Sequence, residues 1–181
     1  MNTDNVSIAG ETIDYGPCAF MDTYDPEAVY SSIDVQGRYA YCNQPGIAHW
    51  NLARLAQSLL PLLAETRETA IERAGEVIER FPDLFRLAYL DISRCKLGLD
   101  EAHEEDFELI SDLLACMADN QADFTLTFRR LCEVARSDTE SEHALRELFR
   151  EPAALDVWLA RWRTRLAREK GSDRERRQSM Q

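Results

Sequence analysis

A mainly α fold with one short β-hairpin at its N-terminal edge is what this sequence predicts, on three observations. Apolar residues recur at helical spacing from residue 47 almost to residue 170. Strand-like alternation is confined to residues 5–14. The chain has 181 residues, 45% of them hydrophobic, enough for one domain with a sizeable core. Together they divide it into a lobe over residues 1–170 and a polar basic tail over 171–181. Within the lobe, 1–16 form the hairpin region, 17–46 an irregular loop and 47–170 a helical body.

The hairpin follows from its turn. Ile8 and Glu11 flank Ala9-Gly10, with glycine in a turn position. Pairing outward opposes Ser7 with Thr12, Val6 with Ile13, and Asn5 with Asp14. Directly opposed residues have Cβ atoms about 4.5–5.5 Å apart. Asn5 and Asp14 would thus offer an amide and a carboxylate oxygen to one hard divalent cation. A one-residue slip would send them to opposite faces, so the pair depends on register. Asp and Asn also favour turns and caps for local hydrogen-bonding reasons, which is the competing reading of these residues.

The segment 17–46 contains Pro17, Pro26, Gly37, Pro45 and Gly46, with Tyr24, Tyr30, Tyr39 and Tyr41 between them. A loop this long is uncommon inside a compact domain unless it has a function. Pinning of the loop to the helical body by these tyrosines is the competing reading. Beyond it, Trp50, Leu52, Leu55, Leu59 and Leu62 form one stripe, and Ala70, Ile71, Ala74, Val77, Ile78 and Phe81 another. Pro61 and Pro82 mark breaks or first turns. A helix over 84–97 is stopped by Gly98. Asp100 is the expected cap for the stripe Phe107, Ile110, Leu113, Leu114 and Met117, and the acids from Glu101 to Glu108 read as a solvated first turn. Phe124, Phe128, Leu131 and Ala135 follow. Thr139-x-x-Glu142 fits a capping box opening a short helix through Phe149. The last face, after Pro152, carries Leu155, Trp158, Leu159, Trp162 and Leu166.

The formal charge of −12 is uneven: residues 161–181 carry a net +5 and residues 1–160 a net −17. An acidic body argues against general nucleic-acid binding, which depends on neutralising phosphates. Arg174, Arg176 and Arg177 read as a solvated terminus. No stretch approaches the roughly 20 apolar residues of a membrane span, and no signal-peptide pattern opens the chain, so a cytoplasmic, non-membrane protein is expected. The five cysteines include no C-x-x-C pair and histidines number three, which disfavours structural zinc and predicts free thiols. Cys116 and Cys132 fall on apolar helix faces as core residues. His49, beside Trp50, reads as a helix-start residue, and His103 and His143 sit in polar helix positions without visible partners.

Asn2-Thr3-Asp4-Asn5 followed by Asp14-Tyr15-Gly16-Pro17 resembles the metal-binding region of the selenoprotein O (SelO) family. Gln36-Gly37-Arg38-Tyr39, Asn43-Gln44-Pro45, the run from Trp50 to Ala56, and Phe124 to Arg129 resemble further family segments. The resemblance covers nearly the whole chain and is most specific over its first fifty-odd residues. It implies the large lobe of a protein-kinase-like fold and transfer of AMP from ATP to Ser, Thr or Tyr hydroxyls of protein substrates. In its terms Asp14-Tyr15-Gly16 stands for the D-F-G motif, with Asn5 and Asp14 binding Mg2+ or Mn2+ and Asp14 also contacting the nucleotide through the metal. Asp4 is the implied proton acceptor. The loop 17–46 corresponds to an activation segment, where a protein substrate docks. Tyr30 stands where some members carry a regulatory cysteine, so no disulfide switch is expected.

No glycine-rich phosphate loop is present, and neither Lys96 nor Lys170 has the V-A-I-K strand context. The resemblance places the small lobe before residue 1, so this length of chain alone is expected to be weakly active or inactive. The rival readings are a non-catalytic helical interaction module and a phosphotransfer kinase remnant.

Overall fold

The computed structural model describes residues 2–11, 19–135, 139–170 and 180. Seven α-helices are present among them: α1 Gln44–Leu63, α2 Arg67–Glu79, α3 Phe81–Lys96, α4 Asp106–Asn120, α5 Phe124–Val134, α6 Thr139–Arg146 and α7 Pro152–Leu166. Short 3-10 turns occupy Thr3–Asn5 and Tyr41–Asn43. There is no strand among the described residues, only an isolated antiparallel bridge between Thr23 and Asp123.

The chain divides into two compact units. The first comprises residues 1–20 and 26–87, the second residues 21–25 and 88–181. α3 contributes its first seven residues to one and the remainder to the other.

In the first unit α1 packs against α2. α1 begins at Gln44, ahead of the helical body expected from residue 47, because Pro45, with its preset φ and no N–H to lose, fits the first turn. Pro61 lies within the last turn without ending the helix. Thr66 caps α2 by accepting the Thr69 N–H at 3.3 Å. Burial here departs from the pattern. Ile47 and Asn51 are the buried residues of α1, whereas Trp50, Leu52, Leu59 and Leu62 are exposed. On α2 Ala70 is buried, and Ile71 and Val77 are exposed. Helical spacing predicted the helices but not which face is covered.

The second unit holds a continuous core. Leu97, Leu99, Leu109, Ile110, Leu113, Met117, Leu131, Leu145, Leu155, Leu159 and the pair Trp158–Trp162 are buried in one cluster. α4 packs on α7 and α5 on α6. All five residues of the predicted α7 face are buried. Each indole also finds an acceptor: Trp158 Nε1 donates to the Leu109 carbonyl at 2.8 Å and Trp162 Nε1 to that of Leu97 at 2.9 Å. Gly98 ends the turn after α3 with φ +70°, as its position predicts. Asp123 caps α5 by accepting the Leu126 N–H at 2.7 Å. Tyr24 stacks on Phe124 with ring centroids 5.5 Å apart, while Tyr24 N–H and Phe124 N–H donate to the Ala122 and Asp22 carbonyls, fixing residues 22–24 on the α4–α5 corner.

Two expectations on the acidic run are corrected. α4 begins at Asp106, and Asp100 does not cap it. Asp106 is wholly buried, not part of a solvated turn. Its carboxylate accepts from Arg165 Nε and Arg94 Nε, each at 2.8 Å, and from the His103 N–H at 2.9 Å. Arg165, itself buried, also donates to the Glu101 carbonyl and to Glu169, whose other oxygen accepts the Asp100 and Glu101 N–H groups at 3.1 Å. Burial alone would raise the carboxyl of Asp106, but the hydrogen bonds from Arg165, His103 and Arg94 outweigh it and hold the group below the ordinary range. The same opposition lowers Glu169.

Candidate functional site

Of the predicted site residues, Asp4 and Asn5 are described and Asp14 lies outside the described residues, as do Thr12, Ile13 and the whole Asp14-Tyr15-Gly16-Pro17 string. The described arm of the expected hairpin is not a strand. Thr3–Asn5 is a 3-10 turn because Asn5 Oδ1 accepts the Asn2 N–H at 2.6 Å, the local side-chain bond that competes with a ladder. The turn that follows is closed by Gly10 N–H on the Ser7 carbonyl at 3.4 Å, with Ser7 Oγ accepting the Ala9 N–H at 3.3 Å. Its central residues are Ile8 and Ala9, one position before the Ala9-Gly10 expected, and Gly10 takes φ +72° at its end.

Asp4 and Asn5 therefore sit side by side on an exposed, internally bonded turn. Carboxylate and amide oxygens are the donors a hard divalent cation takes. An amide oxygen has two lone pairs, so the Asn2 contact leaves Asn5 Oδ1 able to serve a cation. The donor set fits the predicted ion in kind. No group of three or more His, Cys, Asp or Glu poised for a metal occurs among the described residues.

Three of the other segments singled out in the sequence, at 36–39, 43–45 and 50–56, do converge. The Asp34 carboxylate accepts the Arg38 N–H at 2.9 Å and the Tyr39 N–H at 2.8 Å. Asn43 Nδ2 donates to the Gly37 carbonyl at 2.9 Å, and Gln44 Nε2 to that of Tyr39 at 2.6 Å. Gly37 adopts φ +64°, which a side-chain-bearing residue adopts only with strain. The Gln36–Tyr39 and Asn43–Pro45 segments thus hold each other. The Arg38 guanidinium lies 5.0 Å from the Trp50 ring centroid and 5.7 Å from that of Tyr39, with Arg54 5.6 Å from the same Trp50 ring. Sequence reasoning did not join these three residues into a site. Their signal was the clustering of motif segments within twenty residues.

The histidines occupy structural positions. His49 stacks on Phe81 at 5.2 Å with Nε2 3.2 Å from the Ile78 carbonyl. His143, expected to be without a partner, has Nδ1 3.4 Å from Glu147. Cys42, Cys95, Cys116 and Cys132 are free thiols, and burial raises that of Cys116. A cavity of about 390 Å³ in the second unit is lined by Lys96, Phe128, Arg129 and Cys132, none of them a predicted site residue. No helix among the described residues is long and apolar enough to cross a membrane.

The family model described as protein adenylyltransferase SelO matches residues 1–181, and the chain belongs to that family. It is 56% identical over 180 residues to a protein nucleotidyltransferase YdiU of Nitrobacter hamburgensis, a match covering 99% of this chain and 35% of that protein. The YdiU protein of Bradyrhizobium diazoefficiens is 57% identical over 180 residues, covering 99% of this chain and 36% of that protein. That of Methylorubrum extorquens is 54% identical over 185 residues, covering 99% and 37%. The chain thus spans about 35% of the length of the curated relatives it matches. These relatives are nucleotidyltransferases by name, which agrees with the reaction class the resemblance implies.

Proposed function

We propose that this chain is the metal-binding and helical part of a protein adenylyltransferase that moves AMP from ATP onto Ser, Thr or Tyr hydroxyls of other proteins. The observation that carries the reading is the family match over all 181 residues, within which Asp4-Asn5 and Asp14-Tyr15-Gly16 stand in the pattern expected of metal and base. Asn5 and Asp14 hold a magnesium or manganese ion, which neutralises phosphate charge when bound. Asp4 accepts the proton of the acceptor hydroxyl as its oxygen bonds to the α-phosphorus and the bond to pyrophosphate breaks. The exposed turn leaves Asp4 and Asn5 open to an incoming substrate. This length of chain alone, about 35% of the length of its relatives, is weakly active or inactive.

A thermal melt with and without magnesium-ATP, run beside Asp14→Ala, tests the site. A ligand bound to the folded state stabilises it by about 2.7 kcal/mol at a hundredfold excess over its dissociation constant. A rise in melting temperature that Asp14→Ala abolishes supports the assignment. Mass analysis of an acceptor protein treated with a full-length relative then separates added AMP from added phosphate. Phosphate would replace the adenylyltransferase reading with a kinase one.

The exposed Leu62, Ile71, Val77, Leu84 and Leu87 favour one second reading, a non-catalytic helical module that covers these side chains with a partner. A cooperative melt unmoved by magnesium-ATP would favour it.

A further inference from the structure

Arg38, Trp50 and Arg54 form an exposed cluster that the proposed metal site does not use. We propose that it binds an acidic polypeptide segment, each guanidinium taking a carboxylate while Trp50 covers neighbouring apolar atoms. As applied to the transfer reaction, this names acidic sequence in the acceptor protein and there rests on the reading above; the binding itself does not depend on it.

Four observations carry the inference. Both guanidiniums lie within the roughly 6 Å range of cation–π attraction to Trp50, at 5.0 and 5.6 Å. Stacking orients a guanidinium while leaving its N–H edge free for a planar acceptor, which is how arginine takes a carboxylate in two parallel hydrogen bonds. Second, neither side chain has a carboxylate within 4 Å among the described residues. By contrast, Arg161, Arg163, Arg165 and Arg168 of the second unit are each paired with a carboxylate.

Third, the cluster is preorganised. Arg38 projects from backbone held by Asp34, Asn43 and Gln44, and Arg54 stands one helical turn beyond Trp50 on α1. Holding the donors in place before binding lowers the entropy cost of association. Fourth, the loop bonded to Arg38 through Asp34 presents Ile33 and Val35 at 89% and 90% exposure. Exposed apolar side chains on the loop that also carries Arg38 suit a polypeptide with both acidic and apolar residues, rather than a free anion.

Trp50 supplies the readout. Of the three tryptophans, Trp158 and Trp162 are 3% and 0% exposed, against 39% for Trp50. Acrylamide therefore quenches Trp50 selectively. The chain is titrated with octaglutamate, with inorganic phosphate and octalysine as parallel probes. Saturable protection of Trp50 by octaglutamate is expected, with affinity reduced at least tenfold in Arg38→Gln/Arg54→Gln and partly kept in Arg38→Lys/Arg54→Lys. Both residues are exposed, and an unchanged melt shows that the variants fold. Protection unaltered in the Gln variant, absent with octaglutamate, or produced by phosphate alone overturns the proposal. Asp14→Ala separates the two readings: peptide binding survives it, whereas the magnesium-ATP response does not.

Discussion

The two units spend similar sequence patterns very differently. In the second, apolar stripes find one another: Leu113, Met117, Leu131, Leu155 and Trp162 are all sealed from water. In the first, stripes of equal regularity on α1 and α2 leave Leu62 at 81% and Val77 at 64% exposure, and the buried positions include Asn51, whose amide has no hydrogen-bond partner among the described residues. The charges differ likewise. The buried Asp106 is enclosed by two arginines, whereas Arg38 and Arg54 lie over an aromatic ring with no ion-pair partner among the described residues. Helical periodicity states that a face is apolar. What covers that face is decided by other parts of the molecule.

The comparison is broken most directly at Asp106. Asp106→Ala leaves Arg165 buried without its principal counter-charge and should destabilise the second unit by about 3–5 kcal/mol. Urea unfolding followed by tryptophan emission reads this, because Trp158 and Trp162 lie in that unit. Leu155→Ala, at a fully buried position, should cost about 2–5 kcal/mol by the same measurement.

Acid gives a third test. Asp106 and Glu169 have folded-state pKa values below their ordinary ones, so their contribution is complete above the ordinary carboxylate range of about 4 and is lost as pH falls through the lowered values. Emission from the buried tryptophans should report loss of the second unit below about pH 4, and an Asp106→Asn chain should show a flatter dependence there. The smallest effect belongs to Leu62→Ala, expected within about 0.5 kcal/mol of the parent. A loss comparable to that of Leu155→Ala would mean that the exposed stripe is covered in solution.

Much of the second unit was legible in the sequence. Pro152 opens α7, its five apolar residues are buried, and Gly98 ends the α3 turn. Such features depend on residues within a turn or two of one another. Asp106 was misread because its partner Arg165 lies 59 positions away, and an acid among acids gives no local sign of burial. The N-terminal turn escaped for the opposite reason. The bond from Asn2 to Asn5 is more local than the cross-strand pairing expected of Asn5, and the opposing Asp14 lies outside the described residues. Arg38, Trp50 and Arg54 were present in recognised segments, but their convergence depends on how Asp34, Asn43 and Gln44 fold the loop.

The bonds that tie residues 22–24 to the α4–α5 corner have a consequence for dissecting the molecule. Met21–Asp25 belongs to the second unit, yet residues on both sides of it belong to the first. The polypeptide passes from one unit to the other three times, so the boundary at Leu87 is not a severable linker. A protein begun at Ala88 would lose Tyr24 from its core and the backbone partners of Ala122 and Phe124. A chain ended at Leu87 would retain a segment whose hydrogen-bonding partners had been removed. Neither half is a module that recombination could exchange by a single cut.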